Sequence, residues 1–259
     1  MKTVQATRYV VPLREGGSLP AIVEADDDGT YVLKFRGAGQ GAKALVAELI
    51  SGEIARVLGL PVPEIVFVEL DARLGRSEPD TEIRELIKTS AGLNLALDYL
   101  PGSISFDALV PKVIENEALL ASQIVWFDSF ITNIDRTARN TNMLVWHRKL
   151  WLIDHGASLY FHHSWDGYLE RAASRFPQIK THVLLPFASQ IEAADAQMAP
   201  LLTREVLGGI IELVPKSWLG ETPFESVRLA REAYLEYFLR RLQGPCGWVE
   251  EAQNARLAL

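Results

Sequence analysis

The segment 133–156 limits this chain more than any other. It reads Asn133-Ile134-Asp135-Arg136-Thr137-Ala138-Arg139-Asn140-Thr141-Asn142, then Met143-Leu144-Val145-Trp146, a short basic break, and Leu150-Trp151-Leu152-Ile153-Asp154-His155-Gly156. Two short apolar runs on either side of a polar break predict a tight hairpin. That hairpin returns Asp154 to the side of Asp135, with Asn140 and Asn142 between them. Carboxylates and amides gathered at one end of a hairpin suit magnesium-dependent phosphoryl transfer.

Each residue also has a plainer reading. Asp135, on a loop after an apolar stretch, can orient a hydroxyl and accept its proton; it can equally form a turn. Asn140 and Asn142 are both candidate magnesium ligands, and both can be turn residues; spacing does not choose between them. Asp154 ends the run Leu150-Trp151-Leu152-Ile153. A carboxylate there needs a cation or hydrogen bonds to offset desolvation, and Gly156 is expected to turn the chain away. The order of the three elements favours a site over three unrelated turns.

The first hundred residues read as β structure around one helix. Strands are expected at 10–13, 19–23 and 30–35, with Asp26-Asp27-Asp28-Gly29 as a turn. Leu45, Leu49, Ile54 and Leu58 recur at helical spacing over 42–58, closed by Gly59 and the prolines at 61 and 63. Further strands are expected at 65–68 and 95–100, and 71–91 reads as a loop holding at most a short helix. Lys34 is the one charge in Tyr31-Val32-Leu33-Lys34-Phe35. In a cleft it can hold the phosphates of ATP, steadied by Glu48 or Glu53 from the next helix; on a solvated face it does nothing special. Gly16, Gly17 and Ser18 lie in a short loop able to cover phosphates with backbone N–H groups, or to be a plain hairpin turn.

Beyond Pro101-Gly102 the pattern turns helical. A helix over 113–131 places Leu120, Ile124, Phe127 and Ile131 on one face, and helices are expected at 197–213 and 225–242. Gly37-Ala38-Gly39-Gln40-Gly41 between strand and helix has the outline of a dinucleotide turn. Its spacing is not Gly-x-Gly-x-x-Gly, and the acid expected about twenty positions on falls beyond two prolines. A nicotinamide-dependent enzyme is therefore a distant alternative. His162-His163 are adjacent, and adjacent residues rarely aim at one metal; packing in the loop after Asp154 is expected.

Composition narrows the classes. The chain's 259 residues suffice for one large domain or two lobes, and 48% hydrophobic with 23% charged residues is ordinary for a globular chain. A net charge of −7 argues against a nucleic-acid-coating protein. Cys246 is the only cysteine, which excludes an intrachain disulfide and a cysteine zinc cluster. No apolar run reaches transmembrane length and no signal-peptide core is evident. The expectation is a cytoplasmic chain with neither membrane insertion nor direct nucleic-acid binding.

The ordered landmarks over residues 10–165 resemble the HipA-like kinases and, more distantly, the phosphatidylinositol 3/4-kinase branch of the protein-kinase-like fold. Tyr31-Val32-Leu33-Lys34-Phe35 is similar to the family's ATP-lysine strand. Val46-Ala47-Glu48 through Gly59-Leu60-Pro61-Val62-Pro63-Glu64 is similar to its glutamate-bearing helix and following turn, which singles out Glu48 as the partner of Lys34. Asn133-Ile134-Asp135-Arg136 resembles the catalytic loop, and Leu152-Ile153-Asp154-His155-Gly156 the metal-binding aspartate motif. Leu97-Asp98-Tyr99-Leu100-Pro101-Gly102 resembles the interlobe hinge, which implies that the backbone at Asp98, Tyr99 and Leu100 meets adenine.

The resemblance implies an α+β, two-lobe protein-kinase-like fold. The β-rich N-lobe with one main helix spans 1–97, and the mainly helical C-lobe spans 98–259. It implies ATP and Mg2+ as cofactors. Asp135, Lys34 and Glu48 are then the catalytic set, and Asp154 with Asn142 or Asn140 binds metal. The family's usual gap of five residues after the aspartate points to Asn140, and adjacency to the strand points to Asn142. Asn142 is taken first and Asn140 kept. The acceptor is a hydroxyl, with protein serine or threonine as the first choice; lipid or small-molecule kinases and a non-catalytic pseudokinase are the alternatives.

Overall fold

The computed structural model describes residues 1–13, 19–76, 78–244 and 246–259. The chain opens with β1 (Thr3–Pro12), β2 (Ala21–Ala25) and β3 (Thr30–Lys34), followed by α1 (Ala42–Val57) and β4 (Ile65–Leu70). Then come α2 (Thr81–Thr89) and β5 (Gly92–Asp98). The five strands close a barrel in the order β1-β2-β3-β5-β4, with β1 parallel to β4 and the other pairs antiparallel. Side chains alternate across it. Val4, Val23, Leu33 and Val66 fill the interior, whereas Lys34, one step past Leu33, points the other way as strand periodicity requires.

The second half begins with the short strand β6 (Ile104–Ser105) and α3 (Ala118–Phe130). The expected hairpin follows as β7 (Met143–Trp146) and β8 (Lys149–Leu152), with β6 pairing the outer side of β7. Beyond it lie α4 (Tyr168–Ala172), α5 (Ile191–Met198), α6 (Arg204–Glu212), α7 (Val227–Leu242) and α8 (Gly247–Leu257). Trp126 stacks on Phe130 and meets Trp248 edge-on, so α3 and α8 are joined by large rings that exclude water.

The largest core does not stop at the barrel wall. It runs from Leu45, Leu49 and Ile54 of α1 through Ile124 and Phe127 of α3 to Leu207 and Phe238. A helix apolar on nearly every side is a buried one, and α1 is buried from Leu45 through Ala55. Gly52 lets it lie close to β4, since an added Cβ would come 2.3 Å from Ile65 Cδ1. This wedging between barrel and helices fixes where Glu48 stands.

Several expected boundaries shift for local reasons. The first strand begins at Thr3, because residues 3–5 pair with β4. The stretch 71–91 holds the regular helix α2, whose N-cap Asp80 accepts from the Glu82 N–H. The helix expected over 113–131 starts at Ala118. The run 197–213 is broken at Pro200, and α6 starts afresh on the Thr203 cap, whose hydroxyl accepts from Val206 N–H. Among the described residues no helix is long and apolar enough to cross a membrane.

Candidate active site

Three sequence candidates converge on one ion. The Lys34 ammonium, from the end of β3, lies 2.6 Å from Glu48 Oε2 and 2.5 Å from Asp154 Oδ1. Glu48 is fully buried, and it also accepts from the His155 N–H at 2.8 Å and lies 3.4 Å from His155 Nδ1. One carboxylate from α1 therefore ties the β3 lysine to the backbone after β8. Burial alone pushes the Glu48 carboxyl up, but Lys34 and His155 outweigh it and hold the group at about 2. Burial lowers Lys34 in the same way, and its two carboxylates reverse this to leave it well above the ordinary lysine value. Glu53 is not part of this group; it pairs with Arg56, 2.9 Å away on its own helix.

Asp135 stands with the two asparagines. Asn140 Nδ2 donates to Asp135 Oδ2 at 2.7 Å, and Asn142 Nδ2 donates to the same oxygen at 3.3 Å. Asn142 alone also reaches the far strand, donating to the Asp154 carbonyl at 3.5 Å. Its backbone carbonyl accepts from the Ile153 N–H at 3.0 Å, which locks the start of β7 to the end of β8. Asn140 is exposed, whereas Asn142 is buried.

Both Asn142 (φ 46°) and Asp154 (φ 56°) adopt the left-handed region. Non-glycine residues rarely occupy it, and such strain concentrates at functional sites. The turn expected at Gly156 is present, closed by the Ser158 N–H donating to the His155 carbonyl at 3.0 Å, and the left-handed residue that leads into it is Asp154 rather than the glycine.

A second charged group lies beneath the first, and neither residue anchoring it was singled out from the sequence. Asp128, on the buried face of α3, accepts from Asn133 Nδ2 at 2.9 Å, Arg136 Nε at 2.6 Å and His182 Nε2 at 2.8 Å. Asp128, Asn133, Arg136 and His182 are all buried. Burial opposes the Asp128 charge, but Arg136 and His182 outweigh it and keep the carboxyl well below the usual range. Burial likewise lowers His182. The available signal was Asp128 itself, an acid in Ile124-Val125-Trp126-Phe127-Asp128, four residues after Ile124 on the core face.

The other candidates lie apart. At the end of β5 the Asp98 N–H donates to the Glu64 carbonyl and the Tyr99 N–H to the Thr30 carbonyl. Among the described residues the Leu100 N–H has no acceptor, so it is the free backbone donor of this segment. The Asp98 side chain is exposed; burial and then the nearby Glu64 charge raise its carboxyl. Gly16, Gly17 and Ser18 lie outside the described residues. The glycine cluster 37–41 forms successive turns in which Ala38 and Gly41 donate to Phe35 and Ala38 carbonyls, while Gly37 donates to Ser90 Oγ. Those N–H groups are used internally, which disfavours a dinucleotide cradle. His162 is buried on Tyr234, with Nδ1 2.9 Å from the hydroxyl, and His163 packs against Tyr160.

The donor set is all oxygen, which suits a hard divalent cation such as magnesium, manganese or calcium. Asp154 keeps 44% of its side chain exposed. The amide oxygens of Asn140 and Asn142 accept no hydrogen bond among the described residues, since their nitrogens face Asp135. Oxygen donors from one carboxylate and one amide, completed by phosphate and water, suit a small hard cation. Among the described residues no group of three or more histidine, cysteine or acidic side chains is arranged to hold a metal by itself.

A strand lysine clasped by a helix glutamate, facing a hairpin with an aspartate and asparagine at its mouth, is the arrangement expected of a kinase. The backbone agrees. It superposes on the crystal structure of a Helicobacter pylori proinflammatory kinase, CtkA, with a TM-score of 0.57 and 14% identity, covering 99% of this chain and 98% of that one. It also matches the Golgi casein kinase with Mn/ADP bound (TM-score 0.52, 12% identity, 95% of this chain and 75% of that). A second Golgi casein kinase structure gives 0.53 at 12% identity, over 98% of this chain and 72% of that. At such identities the likeness is one of fold. The model of the HipA-like kinase family matches residues 7–248, and the chain belongs to that family. No curated protein sequence matches it significantly.

Proposed function

We infer that the protein transfers the γ-phosphate of Mg-ATP to a hydroxyl, most directly the side chain of a protein serine or threonine. The observation that carries this reading is Lys34 held between Glu48 and Asp154, with Asp135 and Asn142 on the facing loop. In this reading residues 1–97 form the nucleotide lobe and 98–259 the acceptor lobe.

Lys34 neutralises the α- and β-phosphates, and Glu48 keeps its ammonium aimed into the cleft. Asp154 and Asn142 hold the magnesium, with Asn140 as a second amide at the rim; when bound, the metal offsets charge on the transferred group. Asp135 accepts a hydrogen bond from the acceptor hydroxyl and takes its proton as the oxygen attacks. Asn140 and Asn142, both donating to Oδ2 of Asp135, leave Oδ1 free for that contact. The free Leu100 N–H, with the Asp98–Tyr99 backbone, is the candidate adenine contact, and Gly16, Gly17 and Ser18 are the candidate phosphate cover. Ile134, 41% exposed beside Asp135, and the exposed Tyr160 offer apolar surface that suits a peptide more than a soluble metabolite.

The test is incubation with γ-labelled ATP and magnesium, alone and with a mixed peptide library, beside Asp154→Ala. Label on protein or peptide serine and threonine in the wild type, absent in the variant, is the expected result. Nucleotide binding without transfer to any acceptor would make the chain a pseudokinase, and equal labelling by the variant would remove Asp154 from the site.

A further inference from the structure

The Asp128 carboxylate is joined to both halves of the active loop by short chains of hydrogen bonds. On one side Asn133 Nδ2 donates to Asp128 Oδ1 at 2.9 Å, and Asn133 Oδ1 accepts from the Asp135 N–H at 3.1 Å. On the other, Arg136 donates from Nε to Asp128 Oδ2 at 2.6 Å and from Nη1 to the Asn142 carbonyl. Two bonds lead from Asp128 to Asp135, and two lead to Asn142. The third arm is His182, which lies 54 residues along the chain. The Leu184 N–H donates to His182 Nδ1 at 3.0 Å. That nitrogen is therefore an acceptor, and Nε2 carries the proton donated to Asp128 at 2.8 Å. The backbone repeats the attachment: Val183 N–H donates to the Arg136 carbonyl at 3.1 Å, and Thr137 forms an isolated bridge with His182.

We propose that Asp128 and His182 are positioning residues for phosphoryl transfer, and that through Arg136 and Asn133 they set the separation of Asp135 and Asn142. The proposal rests on the phosphotransferase reading. Neither residue touches nucleotide or acceptor. Their value lies in saturation: the carboxylate accepts from three donors, and a buried acid so enclosed has one stable arrangement. Asp128→Asn keeps the shape but turns an NH2 toward one of the incoming N–H donors, so one arm must let go. If Arg136 releases, Asn142 loses its backbone anchor; if Asn133 rotates, Asp135 does.

The experiment compares Asp128→Asn, His182→Gln and His182→Leu with the wild type. Gln can donate to Asp128 and accept from Leu184 as the imidazole does; Leu can do neither. For Asp128→Asn and His182→Leu the expected results are a kcat lower by roughly 10–100-fold with KM for ATP nearly unchanged. A readout without turnover accompanies this. The magnesium concentration giving half-maximal thermal stabilisation by ADP rises by roughly 10-fold or more, while stabilisation by metal-free ADP stays at the wild-type level. His182→Gln stays close to wild type in both. If Asp128→Asn fails to fold, the His182 pair decides.

Folded variants with wild-type kcat and magnesium dependence overturn the proposal, as does equal loss in His182→Gln and His182→Leu. A wild type that neither transfers phosphate nor shows magnesium-dependent stabilisation by ADP overturns the phosphotransferase reading itself, an outcome distinct from the failure of the clamp.

Discussion

Two charged groups lie close together in this protein, and they are built to opposite ends. Around Lys34 the ammonium touches two carboxylates, yet Asp154 is 44% exposed and Lys34 itself reaches solvent. Around Asp128 the acid, Arg136 and His182 are all buried, and the carboxylate already accepts from three donors. The first group has room to exchange a partner. Asp154 can leave Lys34 for a cation while Glu48 keeps the lysine in place. The second has none, because releasing any arm strands a charge away from water. The contrast separates a group that can work from a group that can only hold.

That separation can be broken by substitution. Asp154→Ala is expected to show the largest effect, a loss of phosphotransfer of roughly 10³-fold or more, with only a modest fall in the thermal midpoint from the half-exposed ion pair lost and from alanine at a positive φ. Comparable transfer with a collapsed midpoint would mean that Asp154 is structural. Lys34→Met comes next. It removes one preorganised cation and is expected to lower kcat/KM by roughly 10²–10³-fold. It also leaves the fully buried Glu48 with only the His155 contacts, so a fall in stability toward that of a broken buried pair accompanies it; an active variant would dissociate Lys34 from the phosphates. Asp128→Ala reverses the balance. Removing one member of a buried ion pair costs about 3–5 kcal/mol of unfolding free energy, measurable by urea denaturation. A loss under about 1 kcal/mol, the range of surface pairs, would contradict the saturated reading.

Acid titration distinguishes the two groups more finely. Both Glu48 and Asp128 have depressed carboxyls. Each contributes stability that is present above its unfolded value (4.5 for Glu48, 3.8 for Asp128) and lost as pH falls toward its folded value. His182 is depressed from 6.5, so its contribution is present above that pH and declines as pH falls below it. His182→Gln should therefore flatten the fall in unfolding free energy between pH 6.5 and 5, by at most about 1.4 kcal/mol per pH unit. Glu48→Gln should leave that window alone and alter the profile only below about pH 4.5. Identical slopes for wild type and His182→Gln above pH 5 would show that His182 titrates normally.

How legible each group was in the sequence follows from the range of its contacts. Lys34 could be read because strand alternation makes a lone charge between Leu33 and Phe35 conspicuous. Asp135, Asn142 and Asp154 could be read because a hairpin brings near neighbours together. Glu48 and Glu53 were inseparable by periodicity alone; what separates them is the face of α1 that Gly52 presses onto Ile65, a matter of tertiary packing. Asp128 was visible only as an oddity in an apolar run, and its partner His182 sits just after a 3₁₀ turn, at a position that no pattern marks. The left-handed backbone at Asn142 and Asp154 was only half legible: asparagine and aspartate tolerate that region better than other non-glycine residues, but nothing local shows which of them adopts it. Helix lengths were overread where apolar spacing continued across Pro200 and where it ran on upstream of Ala118.

The most direct test of the account is calorimetric titration of the wild type, Asp154→Ala and Lys34→Met with a non-hydrolysable ATP analogue, with and without magnesium. The wild type is expected to bind far more tightly with magnesium. Asp154→Ala should bind equally with and without the metal, at the wild type's metal-free affinity, and Lys34→Met should bind more weakly in both conditions. Wild-type binding indifferent to magnesium, or an Asp154→Ala titration that keeps the full metal response, would contradict the proposed exchange of Lys34 for magnesium at Asp154.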